Sequence, residues 1–164
     1  MRVSMPDATF LPDRYDRAIL RIIAAEGRIP VAELGRRIGL SKTPTQARLR
    51  RLEAEGIVTG YRAMLSPIRL GLAHVAFVEL RLSDTREAAL RAFNAAVRAI
   101  PEIEECHMIA GGFDYLLKVR TADMAAYREV MGERISALPH VANSSTFVAM
   151  EAVKEVAFAT VPEP

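Results

Sequence analysis

Cysteine is nearly missing from this 164-residue chain: Cys106 stands alone. One thiol closes no disulfide within the chain and builds no multi-cysteine metal site. Long apolar runs are missing too. Nothing approaches the roughly 18 uninterrupted apolar residues of a bilayer-crossing helix, and MRVSMPDATFLPDRYDR at the start lacks a signal-peptide core. A reduced, cytoplasmic setting is the expectation. There is no GxGxxG or P-loop pattern, no internal repeat, and no Ser-His-Asp or Cys-His signature in a motif context. The histidines number three. His107 follows Cys106 on a predicted strand, so the two side chains take opposite faces and cannot share one ion. His74 opens a strand and His140 follows Pro139, which are packing or surface positions. No catalytic residue, metal ion or cofactor is expected.

What is present is enough apolar material for a core, at 51% of residues, and an uneven spread of charge. Residues 1–62 hold 12 Lys/Arg against 7 Asp/Glu, whereas residues 63–164 hold 10 against 13. A basic first module and a mildly acidic second one imply separate tasks, the first facing an anionic partner. Four of the basic residues fall within KTPTQARLRR.

In the first module, Tyr15, Ala18, Ile19, Ile22 and Ile23 recur at helical spacing from Asp13, the expected cap, to about Ala25. Pro30 opens a second helix with Val31, Leu34 and Ile38 inward and Glu33, Arg36 and Arg37 outward, and Gly39 stops it. A third helix is expected from Pro44 to about Glu55. Proline is tolerated at the first helical position, and Thr43 with Gln46 spells a capping box. At 100° per residue Thr45, Leu49 and Leu52 fall together toward the core. Thr43, Pro44, Ala47, Arg50 and Arg51 point away, with Gln46 and Arg48 on the flanks. Thr, Gln, Ala and Arg on one exposed face suit a major groove, where Arg pairs with guanine and Gln with adenine. Ser41, Lys42 and the helix N-terminus suit phosphates. Two short helices and a Gly-containing turn, with a supporting helix ahead of them, match a helix-turn-helix. An amphipathic membrane-surface helix is disfavoured, because Leu49 and Leu52 are needed in the core. IVTGYRAML beyond Gly56 reads as a short hairpin or an extended linker.

The second module alternates: a strand at 73–83, a helix at 86–99 with Leu90, Phe93, Val97 and Ile100 inward, and a strand at 103–110. A GGF turn leads to a strand at 114–121. A helix follows at 123–138, striped by Met124, Tyr127, Met131, Ile135 and Leu138, and then a last strand at 144–155. The order βαββαβ is the ferredoxin-like plan. Phe77 and Val78 are apolar on opposite faces, which points to a second subunit over the face that helices leave open. The expected class is therefore α+β. A flexible arm (1–12) leads to a three-helix, winged-type helix-turn-helix domain (13–60) and a linker (61–72). A ferredoxin-like sensing and oligomerisation domain (73–155) and a tail (156–164) follow. In the AGGFDY turn, paired glycines let backbone N–H groups approach a carboxylate, and Asp114 could accept from an ammonium group.

DRYDRAILRIIAAEGRIPVAELGRRIGLSKTPTQARLRRLEAEGIVTGYRAMLSP resembles the N-terminal module of the Lrp/AsnC family of transcription regulators. IEECHMIAGGFDYLLKVRTADMAAYREVMGERISALPHV resembles that family's effector-sensing (RAM) domain. LSKTPTQARLRRLE and AGGFDYLLKVRT look most like the branch that activates proline catabolism. The resemblance implies double-stranded DNA and a small amino acid as partners, and a homodimer that assembles to a tetramer or octamer. It places the effector between dimers, near Gly111, Gly112, Phe113, Asp114 and Tyr115, with Met108, Met124 and Thr146 as walls. Gly112 stands where many members carry an acidic residue. The expected DNA contacts are Ser41, Lys42, Thr43, Gln46, Ala47, Arg48, Arg50 and Arg51. Sirohaem decarboxylases resemble the same two-module plan, so a tetrapyrrole enzyme is the alternative.

Overall fold

The computed structural model describes residues 10–155; the expected tail and residues 1–9 of the expected arm lie outside the described residues. The chain divides into two compact units between Ala63 and Met64.

In the first unit, α1 (Arg14–Ala25) begins where Asp13 caps it. The Asp13 carboxylate accepts from the backbone N–H groups of Tyr15 and Asp16, at 2.8 and 2.9 Å. The Asp16 carboxylate returns the favour to the Asp13 N–H at 3.1 Å, which satisfies three donors that a helix start leaves open. Helix α2 (Val31–Ile38) follows Pro30 and stops at Gly39, whose φ of 73° is left-handed. Helix α3 spans Lys42–Ala54 and begins two residues earlier than the sequence predicts. Ser41 takes the N-cap position in extended conformation with no side-chain cap bond, so the Thr43–Gln46 capping box does not form. Pro44 thus sits at the third helical position, where its missing N–H is still no loss. The Thr45 hydroxyl donates to the Ser41 carbonyl at 2.8 Å and secures the first turn.

Ile19, Leu34, Leu49 and Leu52 close the core of this unit. The turn between α2 and α3 is tight because residue 35 has no side chain. A Cβ there would stand 2.7 Å from the Leu40 carbonyl oxygen and 2.9 Å from Thr45 Oγ1. After α3, Gly56 (φ 68°) turns the chain. Residues 57–63 pair in no strand, so the extended alternative holds and the hairpin does not.

The second unit is a four-stranded antiparallel sheet in the order β2-β3-β1-β4. Its strands are β1 (His74–Leu82), β2 (Ile103–Met108), β3 (Tyr115–Thr121) and β4 (Val141–Val148). Helix α4 (Glu87–Val97) crosses from β1 to β2, and α5 (Met124–Val130) continues as a wider turn over Met131–Ile135 before β4. One sheet face carries Ala76, Val78, Leu80, Tyr115, Leu117 and Val119 into a core with Phe93, Val97, Tyr127 and Ile135. Leu90 packs against that core half-buried, while Ala89 beside it is fully enclosed.

Two predicted elements change. The last strand runs earlier than 144–155: its register on β1 ends at Val148 opposite Ala76, and after the Ala149 N–H reaches the Val75 carbonyl only His74 of β1 remains. The stripe of α5 also shifts. The Ser136 N–H bonds to the Met131 carbonyl at 2.9 Å, five residues back; Val130 is buried, and Met124, the first residue of α5, is 47% exposed. Met124 is therefore not a core residue. On the opposite sheet face Phe77 lies across from Phe147, both exposed.

Gly35→Ala is expected to lower stability by about 1–3 kcal/mol, because the clash is with backbone rather than a flexible side chain. A shift in the urea midpoint at unchanged slope would register it, and an unchanged midpoint would mean the turn can open at no cost.

Candidate functional site

Helix α3 offers its outer face to solvent as the sequence predicts in part. Ser41, Lys42, Thr43, Ala47 and Arg50 are exposed and Gln46 is half-buried, while Thr45, Leu49 and Leu52 are enclosed. Arg51 is exposed and Arg48 half-buried on the flank, as predicted, but neither guanidinium group is free. Arg48 Nη1 donates to Asp13 Oδ2 at 2.6 Å and to Asp16 Oδ1 at 2.9 Å. Arg51 Nη2 donates to Asp16 Oδ2 at 2.8 Å. Both guanidinium groups also lie on rings, Arg48 over Tyr15 and Arg51 over Phe10. The reason is Asp16, which is wholly buried. A carboxylate without water needs cations and donors, and the second and third turns of α3 supply them. Sequence reading did not single out Asp16. The signal was there: Ile19 and Ile23 follow it at three and seven residues, so Asp16 stands on the apolar stripe of α1.

Elsewhere on the two helices, Arg36 and Arg37 pair with Glu33, and Arg37 also pairs with Glu26. Among the described residues of α2 and α3, Lys42 and Arg50 are the cations that make no ion pair. An exposed helix face with two unpaired cations, a glutamine and small residues can take phosphates and base edges.

The second candidate patch is the loop between β2 and β3. It is pinned at Asp114, whose N–H bonds to the Leu80 carbonyl at 2.9 Å and whose carbonyl accepts from Ile109 at 2.8 Å. Asp114 Oδ2 accepts the Leu82 N–H at 2.7 Å, so half of this carboxylate already has a structural partner. Gly111 and Gly112 are exposed and have no left-handed φ. A Cβ at Gly112 would meet nothing within 4 Å, so the turn does not demand glycine there. Phe113 is half-buried and Met108 is 56% exposed.

Tyr115 belongs elsewhere. It is 2% exposed, stacks on Phe93 and donates to Asn94 Oδ1 at 3.0 Å, so it is a core residue rather than a ligand wall. Burial pushes its phenol pKa up. Thr146 lies on the edge strand β4 opposite Val78, with its hydroxyl 2.6 Å from that of Tyr127. Met124 follows the far end of β3, whose seven residues separate it from Tyr115. At strand rise that is about 20 Å. One chain therefore holds the expected effector residues in separate patches.

Cys106 packs against the helix-covered core, and burial holds its thiol protonated, with a pKa pushed up to about 11. His107 sits on the other face, with Nε2 3.3 Å from Glu105. His74 packs on Tyr127 and His140 is exposed, as predicted.

A three-helix module with a wet recognition face, followed by a ferredoxin-like module with a pinned glycine loop, defines a ligand-responsive DNA-binding regulator. Residues 12–59 match the winged helix-turn-helix DNA-binding family model, and residues 75–157 match the Lrp/AsnC ligand binding domain. The chain belongs to the Lrp/AsnC family of transcription regulators. It is 67% identical over 147 residues to the proline dehydrogenase transcriptional activator of Rhodobacter capsulatus, covering 90% of this chain and 96% of the relative. It is 47% identical over 143 residues to the leucine-responsive regulatory protein of Salmonella typhimurium, covering 87% of each. Among solved structures, a Neisseria meningitidis transcriptional regulator in complex with L-Met superposes with a TM-score of 0.82 at 31% identity, covering 88% of this chain and 93% of that one. These are regulators, and the protein is not an enzyme; the sirohaem-decarboxylase alternative is set aside.

The Asp13 carboxylate is exposed, yet the Asp16 N–H, with Arg48 and the Tyr15 N–H, holds its pKa at about 2 against an ordinary 3.8. A lowered carboxylate stabilises the fold in full above its unfolded value and loses that contribution as pH falls through its folded one. The urea midpoint difference between native protein and Asp13→Asn is expected to shrink as pH drops from above 3.8 toward about 2. A difference that is constant across this window would show that the cap charge contributes nothing.

Proposed function

We propose that α3 reads a DNA operator from the major groove and that the second unit converts amino-acid binding into promoter occupancy. In this reading residues 13–60 bind DNA, 61–72 link, and 73–155 sense and assemble. Ser41, Lys42 and the first turn of α3 meet phosphates, and Thr43, Gln46, Ala47 and Arg50 face base edges. The observation that carries the reading is the selective freedom of Lys42 and Arg50, while Arg36, Arg37, Arg48 and Arg51 are all occupied by carboxylates.

Proline is the proposed effector and activation of a proline-catabolism gene the proposed output. The names of close relatives and the resemblance of AGGFDYLLKVRT to that branch support both. Met108, Gly111, Gly112, Phe113 and Asp114 form one wall of the site, and Met124 and Thr146 contribute from another chain. Their separation on a single chain supports a site completed by assembly. A homodimer built through the open sheet face, where Phe77 and Phe147 are exposed, is the unit that assembles further to a tetramer or octamer. The effector shifts the assembly equilibrium by its differential affinity for the states.

Arg50→Ala is expected to weaken operator binding. If Arg50 meets a guanine the loss is about 1–3 kcal/mol and site-selective; if it meets a phosphate the salt slope falls by about one. Unchanged binding in a gel-shift titration removes α3 as the reading element. Proline is expected to raise the melting temperature, by the stabilisation of about 2.7 kcal/mol that a ligand at a hundred times its Kd gives. A rise with leucine or methionine and none with proline would reassign the effector.

A further inference from the structure

Helix α1 is more than a support for the reading helix. Its Asp16 is wholly buried and accepts from three donors: Arg48 Nη1, Arg51 Nη2 and the Asp13 N–H. Asp13 adds a second carboxylate on Arg48. Two carboxylates and two guanidinium groups thus form a neutral quartet on the α1 side of α3. The central guanidinium carbons of Arg48 and Arg51 lie over the Tyr15 and Phe10 rings, at 5.2 and 4.6 Å from the centroids.

We infer that Asp16 is a specificity-determining residue, which holds Arg48 and Arg51 against α1 and keeps them off the DNA phosphates. This rests on the reading of α3 as the DNA-contacting helix. A phosphate competing for either arginine would have to leave Asp16 as an under-compensated charge sealed from water, which is strongly unfavourable. Phosphate attraction is blind to sequence and grows with the number of cations engaged. Withholding two of the four cations of α3 weakens binding to arbitrary DNA, while contacts to base edges by Gln46 and Arg50 are untouched. Selectivity is the ratio of the two, so Asp16 raises it without touching DNA.

Asp16→Asn tests this, since it keeps shape and burial but removes the charge that holds the arginines. The full chain is titrated at several salt concentrations with two duplexes: one selected by the native protein from a random-sequence pool, and a scrambled version. In the variant, binding to the scrambled duplex should tighten several-fold. Its salt slope should steepen by about 0.9 for each arginine released, and the preference for the selected duplex should fall. Adding Arg51→Gln to the variant should return part of that slope. Arg51→Gln alone keeps an amide donor for Asp16 and should leave the native slope unchanged.

Two results overturn the inference. One is equal weakening on both duplexes with an unchanged slope, which makes Asp16 only a brace. The other is a flatter slope for Arg51→Gln alone, which puts Arg51 on a phosphate already. If Asp16→Asn does not melt cooperatively, the slopes of Arg51→Gln and Arg48→Gln alone decide. Loss of the α3 reading looks different: Arg50→Ala would then leave both duplexes bound as before.

Discussion

A buried carboxylate dictates how α3 is rolled about its own axis. Asp16 occupies a place on α1 that an apolar residue would ordinarily fill, and its charge must be answered within the protein. The answer comes from Arg48 and Arg51, three residues apart and so on one side of α3. Once that side faces α1, Thr45, Leu49 and Leu52 fall into the core and Ala47 and Arg50 turn outward. The missing side chain at Gly35 sets how closely α2 approaches the start of α3. Orientation and distance of the outward face of α3 therefore derive from residues that do not belong to it.

The second unit depends in the same way on β1, which is hydrogen-bonded to β3 on one side and β4 on the other. Its alternation divides the sheet into a helix-covered face and an open one. On the open face Lys118 and Arg120 are matched by Glu104 and Glu155, so charged side chains lie there largely sealed and paired. The segment after β4 lies alongside, enclosing with Val75 and Phe77 a groove of about 520 Å³. The glycine loop borrows its shape from the end of β1, through the bonds of Asp114 to Leu80 and Leu82.

Much of this was legible in the residues. The three helices, their inward stripes and the βαββαβ order follow from spacing alone, because amphipathic periods of 3.6 and 2 are what a two-layer core imposes. The start of α3 was not legible: the first turn of a helix needs no N–H donors, so Pro44 fits at its first or its third position equally well. Tyr115 was misplaced because it was read with the glycine loop before it, whereas its alternation with Leu117 and Val119 puts it on the core face. The end of β4 is set by where β1 runs out, a tertiary fact with no local sign. Met124 shares the stripe of Tyr127 by spacing, but it is the first residue of α5 and stays half exposed there. The burial of Asp16 was unread, although its place three and seven residues before Ile19 and Ile23 carries the sign of it.

The length of β3 has a quantitative consequence for signalling. It stands between the glycine loop that ends at Asp114 and Met124, and that span of about 20 Å is longer than a free amino acid. No single molecule of that size touches both ends of one subunit. A ligand that uses both must be sandwiched by two polypeptides, and its apparent affinity then depends on how many copies of the regulator the cell contains. With the effector held as proposed, abundance of the sensor and abundance of the nutrient would be interchangeable inputs to one equilibrium.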